Sequence, residues 1–319
     1  MSESKKISEP SKATQPVGQT QNASLAHPLN EASLDLWAQE AHPEGFALTF
    51  QVRQTLFSGK SQFQRVDVIE TVPYGRMLLN DGLVMATERD EHIYHEMLAH
   101  VPLFTHPQPR KVLVIGGGDG GTVREVLKHP SVEICYLVEI DELVVNACKE
   151  YLPQTAACLA DARVRVEIAD GVKFIAQTQE RFDVILVDST DPIGPATPLF
   201  GDDFYNNIER CLTADGIVVA QGESAFFSSA MQEKLLQILQ PKFARRYLYN
   251  YSNLTYPGGL WSFVMGSRRL CPLADFSTQR WAACHWQTQY YNPQIHRASF
   301  ALPQNMYNKF SRYLTEPSV

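Results

Sequence analysis

The chain has 319 residues, 44% of them hydrophobic and 20% charged, with a formal net charge of −7. That length supports one large domain plus a smaller one, and the mild, scattered acidic excess argues against nucleic acid or an anionic membrane as partner. The sequence has no run of 18 apolar residues and no charged-then-apolar leader, and its six cysteines include no C-x-x-C pair, so a cytoplasmic protein with reduced core thiols is expected.

Residues 1–33 are rich in Ser, Thr, Gln, Pro and Lys without an apolar period, and read as a disordered tail. Residues 34–89 are expected to form a small antiparallel β-domain. Strands are expected at 46–57 and 61–70, split by Ser58-Gly59-Lys60. Two more, at 76–79 and 83–85, flank Asn80-Asp81-Gly82, a strong hairpin signal. The spacing turns helical over 89–104, with Ile93, Met97, Leu98 and Val101 on one face. From 111 onward strands are expected at 112–115, 132–139, 164–168, 182–188, 216–220, 243–249 and 261–266. Helices are expected at 121–129, 141–151, 171–178, 202–212, 228–240 and 275–283. This alternation predicts an α/β fold for residues 90–319, a Rossmann-like, doubly wound, mostly parallel sheet of the class I methyltransferase type. Ligands of such sheets sit at the carboxyl ends of the strands.

The chemistry gathers at those ends. Lys111-Val-Leu-Val-Ile-Gly-Gly-Gly-Asp-Gly-Gly121 reads as a strand, a glycine turn and a helix start, the opening of a nucleotide-binding unit. Asp119 is its unusual member. A carboxylate suits the positive end of a helix, but it would repel a pyrophosphate there and attract a cation. The loop therefore suggests a nucleoside ligand carrying positive charge. Glu139, about 20 residues beyond the turn, stands where an acid grips ribose hydroxyls, while Asp141 reads as a helix N-cap. Asp170 suits either an adenine amino group or the N-cap of the next helix, and both roles can coexist. Asp188 ends the apolar strand FDVILVD, and Asp191 follows three residues later, before a stiff Pro-Ile-Gly-Pro loop ending in Pro195. His95 and His100 resemble a zinc H-E-x-x-H pair, but a spacing of five puts them about 140° apart on a helix, so no metal site is expected.

These residues sit within longer shared stretches: DGLVMATERDEHIYHEM (81–97), GGGDGG (116–121), VEID (138–141), DGV (170–172), DSTDPIGP (188–195), TYPGG (255–259) and YYNPQIHRASFALP (290–303). With them the chain resembles the polyamine aminopropyltransferases, the spermidine-forming members most closely, over about residues 35–312. The resemblance implies decarboxylated S-adenosylmethionine as co-substrate, with no cofactor, and putrescine as acceptor, giving spermidine and methylthioadenosine. It implies that Gln64, Glu139, Asp170, Gly171 and Pro195 hold the nucleoside, and that Asp119 meets the aminopropyl ammonium. His95, Asp119 and Asp191 match polyamine or aminopropyl contacts. Asp188 matches the proton acceptor, and Tyr94 and Tyr256 match tyrosines that line the amine channel and orient the attacking nitrogen. It also implies a homodimer. Arg65 and Leu254 depart from residues common in the family, and both are expected near the amine channel.

Putrescine is a dication at neutral pH, its amine pKa values near 10 by analogy with lysine. The attacking nitrogen must therefore lose a proton, which Asp188 is placed to accept. Sulfonium is a good leaving group, so alignment and deprotonation carry the reaction. Asp191 and Glu223 are expected to hold ammonium groups, and Tyr94, Tyr256 and Trp261 to shape a channel for the methylene chain. Core packing is the competing reading for Trp261, and surface solvation for Glu223. Three rivals stand beside this one: a methyltransferase using the intact donor, an aminopropyltransferase taking agmatine, cadaverine or spermidine, and a polyamine-binding scaffold without activity.

Overall fold

Left-handed backbone at Asp81 (φ 49°) and Gly82 (φ 87°) closes a two-residue hairpin between β4 (Gly75–Asn80) and β5 (Leu83–Thr87). It is the last turn of an antiparallel sheet in order β1-β2-β3-β4-β5, begun by β1 (Leu36–His42), β2 (Phe46–Lys60) and β3 (Arg65–Thr71). The computed structural model describes residues 35–190 and 194–316, so the expected tail at 1–33 and Asp191 lie outside the described residues. β1 has no strand expectation behind it, because Leu36 and Trp37 are exposed and its pattern follows pairing with β2, not burial. The break expected at Ser58-Gly59-Lys60 falls instead at 61–64. There the Ser61 hydroxyl accepts from the backbone N–H of Phe63 (3.0 Å) and Gln64 (3.2 Å). Gly59 stays in β2, paired with Val66, and a Cβ there would lie 2.8 Å from the Phe57 ring.

Helix α1 (Glu91–Thr105) follows and is buried on nearly every side. The alternating pattern then builds β6 (Lys111–Gly116), α2 (Gly121–Leu127), β7 (Ile134–Glu139), α3 (Glu142–Tyr151), α4 (Pro153–Ala156), β8 (Val164–Ile168), α5 (Gly171–Gln177), β9 (Phe182–Asp188), α6 (Asp202–Cys211), β10 (Leu212–Gln221), α7 (Ser229–Leu239), β11 (Arg245–Ser252) and β12 (Leu260–Ser267). Short helices α8 (Thr278–Ala282), α9 (Pro293–Ala298) and α10 (Gln304–Phe310) complete the described chain. Of these, α4, α9 and α10 span only four to seven residues, too few to show a helical period.

The second sheet runs β11-β12-β10-β9-β6-β7-β8. Strands β10, β9, β6, β7 and β8 are parallel, while β12 pairs antiparallel with both β10 and β11. Successive residues of each central strand face opposite cores. Val112 and Val114 join the layer under α1 and α2, and Leu113 and Ile115 join the layer under α5, α6 and α7. From β6 the chain winds outward to β7 and β8, then returns to β9 on the other side of β6. That reversal opens a crevice at the carboxyl ends of β6 and β9, where Gly116 and Asp188 are register partners. The expected α/β architecture is the observed one. Among the described residues, no helix is long and apolar enough to cross a membrane, and all six cysteines are free thiols.

Candidate active site

The crevice opens into a cavity of about 630 Å³ bounded by the carboxyl ends of the parallel strands, by β-domain residues including Gln64, Met85 and His42, and by the loops carrying Glu223 and Tyr256. One wall is set by glycine. A Cβ on Gly117 would fall 2.5 Å from Asp188 Oδ2, and one on Gly121 would fall 2.2 Å from the His95 ring. The loop thus leaves room for one carboxylate and one imidazole. Gly117 also takes φ 69°, a conformation that suits glycine.

Asp119 turns back onto the helix it precedes: its Oδ1 accepts from Gly121 N–H at 2.8 Å. The same oxygen lies 3.3 Å from His95 Nε2, and His95 Nδ1 lies 2.6 Å from Glu91 Oε2. Burial opposes charge on His95, but the Asp119 and Glu91 carboxylates outweigh it and raise the imidazole well above its ordinary value. Asp119 is likewise held below the usual carboxylate range, burial being outweighed by His95 and the Gly121 N–H. Asp188 moves the other way. Burial and the Asp119 charge push it up, against a hydroxyl donated by Thr122 to Oδ2 (2.6 Å) and a hydrogen bond from Tyr94. The cup therefore favours charge on both His95 and Asp119, beside an Asp188 carboxyl shifted toward its protonated form. One ligand atom each from His95, Asp119 and Asp188 lies within 4.8 Å of the others. His100 turns away, to Glu125 and His129, both at 3.0 Å.

On the opposite flank Glu139 is buried, accepting from Asp141 N–H (2.9 Å) and Gly118 N–H (3.2 Å), and burial pushes its carboxyl up to about 7. Gln64 reaches across from the β-domain and donates to Asp141 Oδ2 at 3.0 Å. Asp141 caps α3 through Leu143 N–H. Asp170 caps α5 through Val172 N–H (2.9 Å) and lines the cavity with Gly171, so its two expected placements coincide. Backbone at Pro195 lies in a 3₁₀ turn (Gly194–Phe200).

The far end of the cavity is aromatic. Tyr94 packs edge-on against Tyr251, Tyr256 and Phe263. The Tyr256 hydroxyl donates to the Met85 carbonyl (2.7 Å), and Trp261 Nε1 donates to the Pro257 carbonyl (2.9 Å). Glu223 is not a solvated surface acid: it is 2% exposed, lines the cavity, and holds left-handed backbone at φ 64°. Arg65 and Leu254, expected near this channel, do not line it. Arg65 is on the outward face of β3, paired with Asp67 at 2.8 Å, and Leu254 is 59% exposed. Several contributors carried no individual expectation. Asp90 accepts from Thr255 N–H (3.0 Å) and its hydroxyl (2.8 Å), Thr122 holds Asp188, and Glu91 holds His95. Asp90, Glu91 and Thr255 lie inside shared stretches quoted above, the one signal that points to them.

Residues 91–277 match the family described as spermine/spermidine synthase domain, and residues 36–88 match the spermidine synthase tetramerisation domain. The chain is 47% identical over 271 residues to a polyamine aminopropyltransferase of Shouchella clausii, covering 85% of this chain and 98% of that protein. It is 46% identical over 273 residues to one from Caldicellulosiruptor bescii, covering 85% and 97%. A crystal structure of spermidine synthase in complex with the transition-state analogue AdoDATO superposes with TM-score 0.85 at 39% identity, covering 87% of this chain and 95% of that one. Spermidine synthase from Thermotoga maritima gives 0.82 at 37%, with the same coverage. Fold and cup together define a Rossmann-like protein with an acidic cleft at the carboxyl ends of its parallel strands. The chain belongs to the spermine/spermidine synthase family, the polyamine aminopropyltransferases.

Proposed function

We propose that this chain transfers the aminopropyl group of decarboxylated S-adenosylmethionine to putrescine, releasing spermidine and methylthioadenosine. The observation that carries the reading is the juxtaposition of the Asp119–His95 pair with Asp188 in one cup. Asp119 offers negative charge where an aminopropyl ammonium would lie, and would face the carboxylate of an intact methyl donor unfavourably. Glu139 accepts the ribose hydroxyls, and Gln64, Asp170, Gly171 and Pro195 complete the nucleoside end. Asp188 takes a proton from the attacking ammonium, freeing a lone pair. The nitrogen then attacks the methylene carbon next to sulfur, a C–N bond forms, the C–S bond breaks, and its electrons neutralise the sulfonium. No metal or covalent intermediate is required. Tyr94, Tyr256 and Trp261 line the methylene chain, and Asp191 and Glu223 hold ammonium groups.

The deep aromatic channel and buried Glu223 fit a diamine with a second cation, which supports putrescine. Agmatine, cadaverine and spermidine remain competing acceptors, and the methyltransferase and inactive scaffold readings predict no aminopropylated product. We also infer a cytoplasmic homo-oligomer assembled through the N-terminal sheet. The likeness of residues 36–88 to a tetramerisation domain supports assembly, and edge strand β1 exposes Leu36 and Trp37. The test is incubation with the decarboxylated donor and a panel of amines, products identified by mass spectrometry. Spermidine and methylthioadenosine in equal amounts are expected from putrescine. Absence of both with every amine overturns the reading, and a stronger preference for another amine replaces the acceptor.

A further inference from the structure

Behind the cup, charged side chains continue away from the cavity in an unbroken series. Glu91 Oε2 meets His95, and both Glu91 oxygens are taken by Arg124, Nη1 to Oε1 at 2.8 Å and Nη2 to Oε2 at 2.9 Å. Arg124 is anchored from behind by Glu125, Nε to Oε1 at 2.8 Å, and also donates to the Gln154 carbonyl at 3.3 Å. Glu125 in turn takes Lys128 at 2.6 Å and His100 at 3.0 Å, and His100 meets His129 at 3.0 Å. Glu91, Glu125, His95, His100 and His129 are all buried.

The geometry has a direction. A carboxylate held by a single hydrogen bond can swing, whereas a planar guanidinium bound to both oxygens fixes its plane. With Glu91 fixed, the His95 ring is held at Nδ1, and Nε2 points at Asp119 Oδ1. The Gly121 N–H takes that same oxygen. Both polar contacts of Asp119 thus fall on Oδ1, which leaves Oδ2 for a ligand. We propose that Arg124 is a positioning residue: acting through Glu91 and His95, it fixes the Asp119 carboxylate so that one oxygen faces the donor's ammonium. This rests on the donor assigned under Proposed function. Arg124 does not line the cavity, so its influence on a ligand must pass through the series.

The test exploits the product. Methylthioadenosine shares the donor's nucleoside but lacks the aminopropyl ammonium, so Arg124 should matter to one ligand and not the other. Affinities for both are measured by calorimetry with the wild-type protein, Arg124→Gln and Arg124→Lys. Wild type is expected to prefer the donor. In Arg124→Gln that preference should fall about tenfold, a usual scale for coupled buried groups, while methylthioadenosine affinity stays within about twofold. Arg124→Lys keeps the charge but loses the two-point grip, and should fall in between. Binding of methylthioadenosine reports that a variant is folded, and where Arg124→Gln binds neither ligand the lysine variant decides. An unchanged preference, or equal loss for both ligands in the lysine variant, overturns the inference. A wild-type protein without preference overturns the donor reading itself, and this inference with it.

Discussion

The two ends of the cavity are built by different means. The nucleoside end is made by backbone: glycines that leave space for Asp188 and His95, and carboxylates that cap α3 and α5 at the ends of parallel strands. The aromatic end is made by side chains that meet from far apart in the chain. Asp90 and Thr255 are 165 residues apart, and Tyr256 and Met85 are 171 apart. Geometry fixed by a sheet changes only if the sheet changes. Geometry fixed by a few hydrogen bonds between loops changes with single substitutions. Under the proposed function, the aromatic end is thus where amine preference is free to vary while the glycine-built end stays the same.

The largest expected effect lies at the junction of the two ends. Asp188→Asn should lower turnover by about 10²–10⁴-fold, the range for a lost general base, with methylthioadenosine affinity largely kept. Turnover within a few-fold of wild type would remove Asp188 from its role. Next is the donor end. Asp119→Asn keeps an oxygen for the Gly121 N–H but loses the charge, and donor affinity should fall by about 10–100-fold, a charge-assisted hydrogen bond contributing about 1.5–3 kcal/mol. Intact S-adenosylmethionine should lose far less, so an equal loss for both donors would break the selectivity argument.

A smaller effect follows from Glu139, whose carboxyl burial pushes up to about 7. Its folded value is raised, so between its ordinary value and about 7 the folded protein binds more protons than the unfolded chain, and its contribution to stability falls as pH rises. Ribose hydroxyls donate to the ionised form. Methylthioadenosine should therefore bind with proton release near neutral pH, and tighten about tenfold from pH 6 to pH 8. Calorimetry in buffers of different ionisation enthalpy checks this, and a flat profile would sink it. Smallest is the loop contact: Thr255→Val should raise KM for the amine by about threefold, the scale of one hydrogen bond, with donor KM unchanged. A donor effect of equal size would erase the distinction between the two ends.

The donor end was legible in the sequence because its signals are local. A glycine turn after an apolar strand and acids at strand ends each occupy a handful of adjacent residues, and Asp119, Glu139, Asp170 and Asp188 do line one cavity. The acceptor end was legible only through family likeness. Tyr94 sits in a helix buried on nearly every side, where nothing local separates a channel residue from a core residue. Strand β1 and the turn at 61–64 escaped for related reasons. An edge strand with exposed Leu36 and Trp37 has no burial period, and a turn made by the Ser61 hydroxyl carries less signal than the glycine beside it. Arg65 and Leu254 stand beside the lining residues Gln64 and Thr255 without lining the cavity themselves, because closeness in sequence does not fix the direction of a side chain.

If Glu223 holds the amine as proposed, its left-handed backbone sets stability against activity. A non-glycine residue held there costs about 1 kcal/mol or more, and glycine at that position would remove the cost together with the carboxylate. Glu223→Gly should hold the amine less well, and its melting temperature reads the balance between the relieved strain and the lost side-chain hydrogen bond from Gln221.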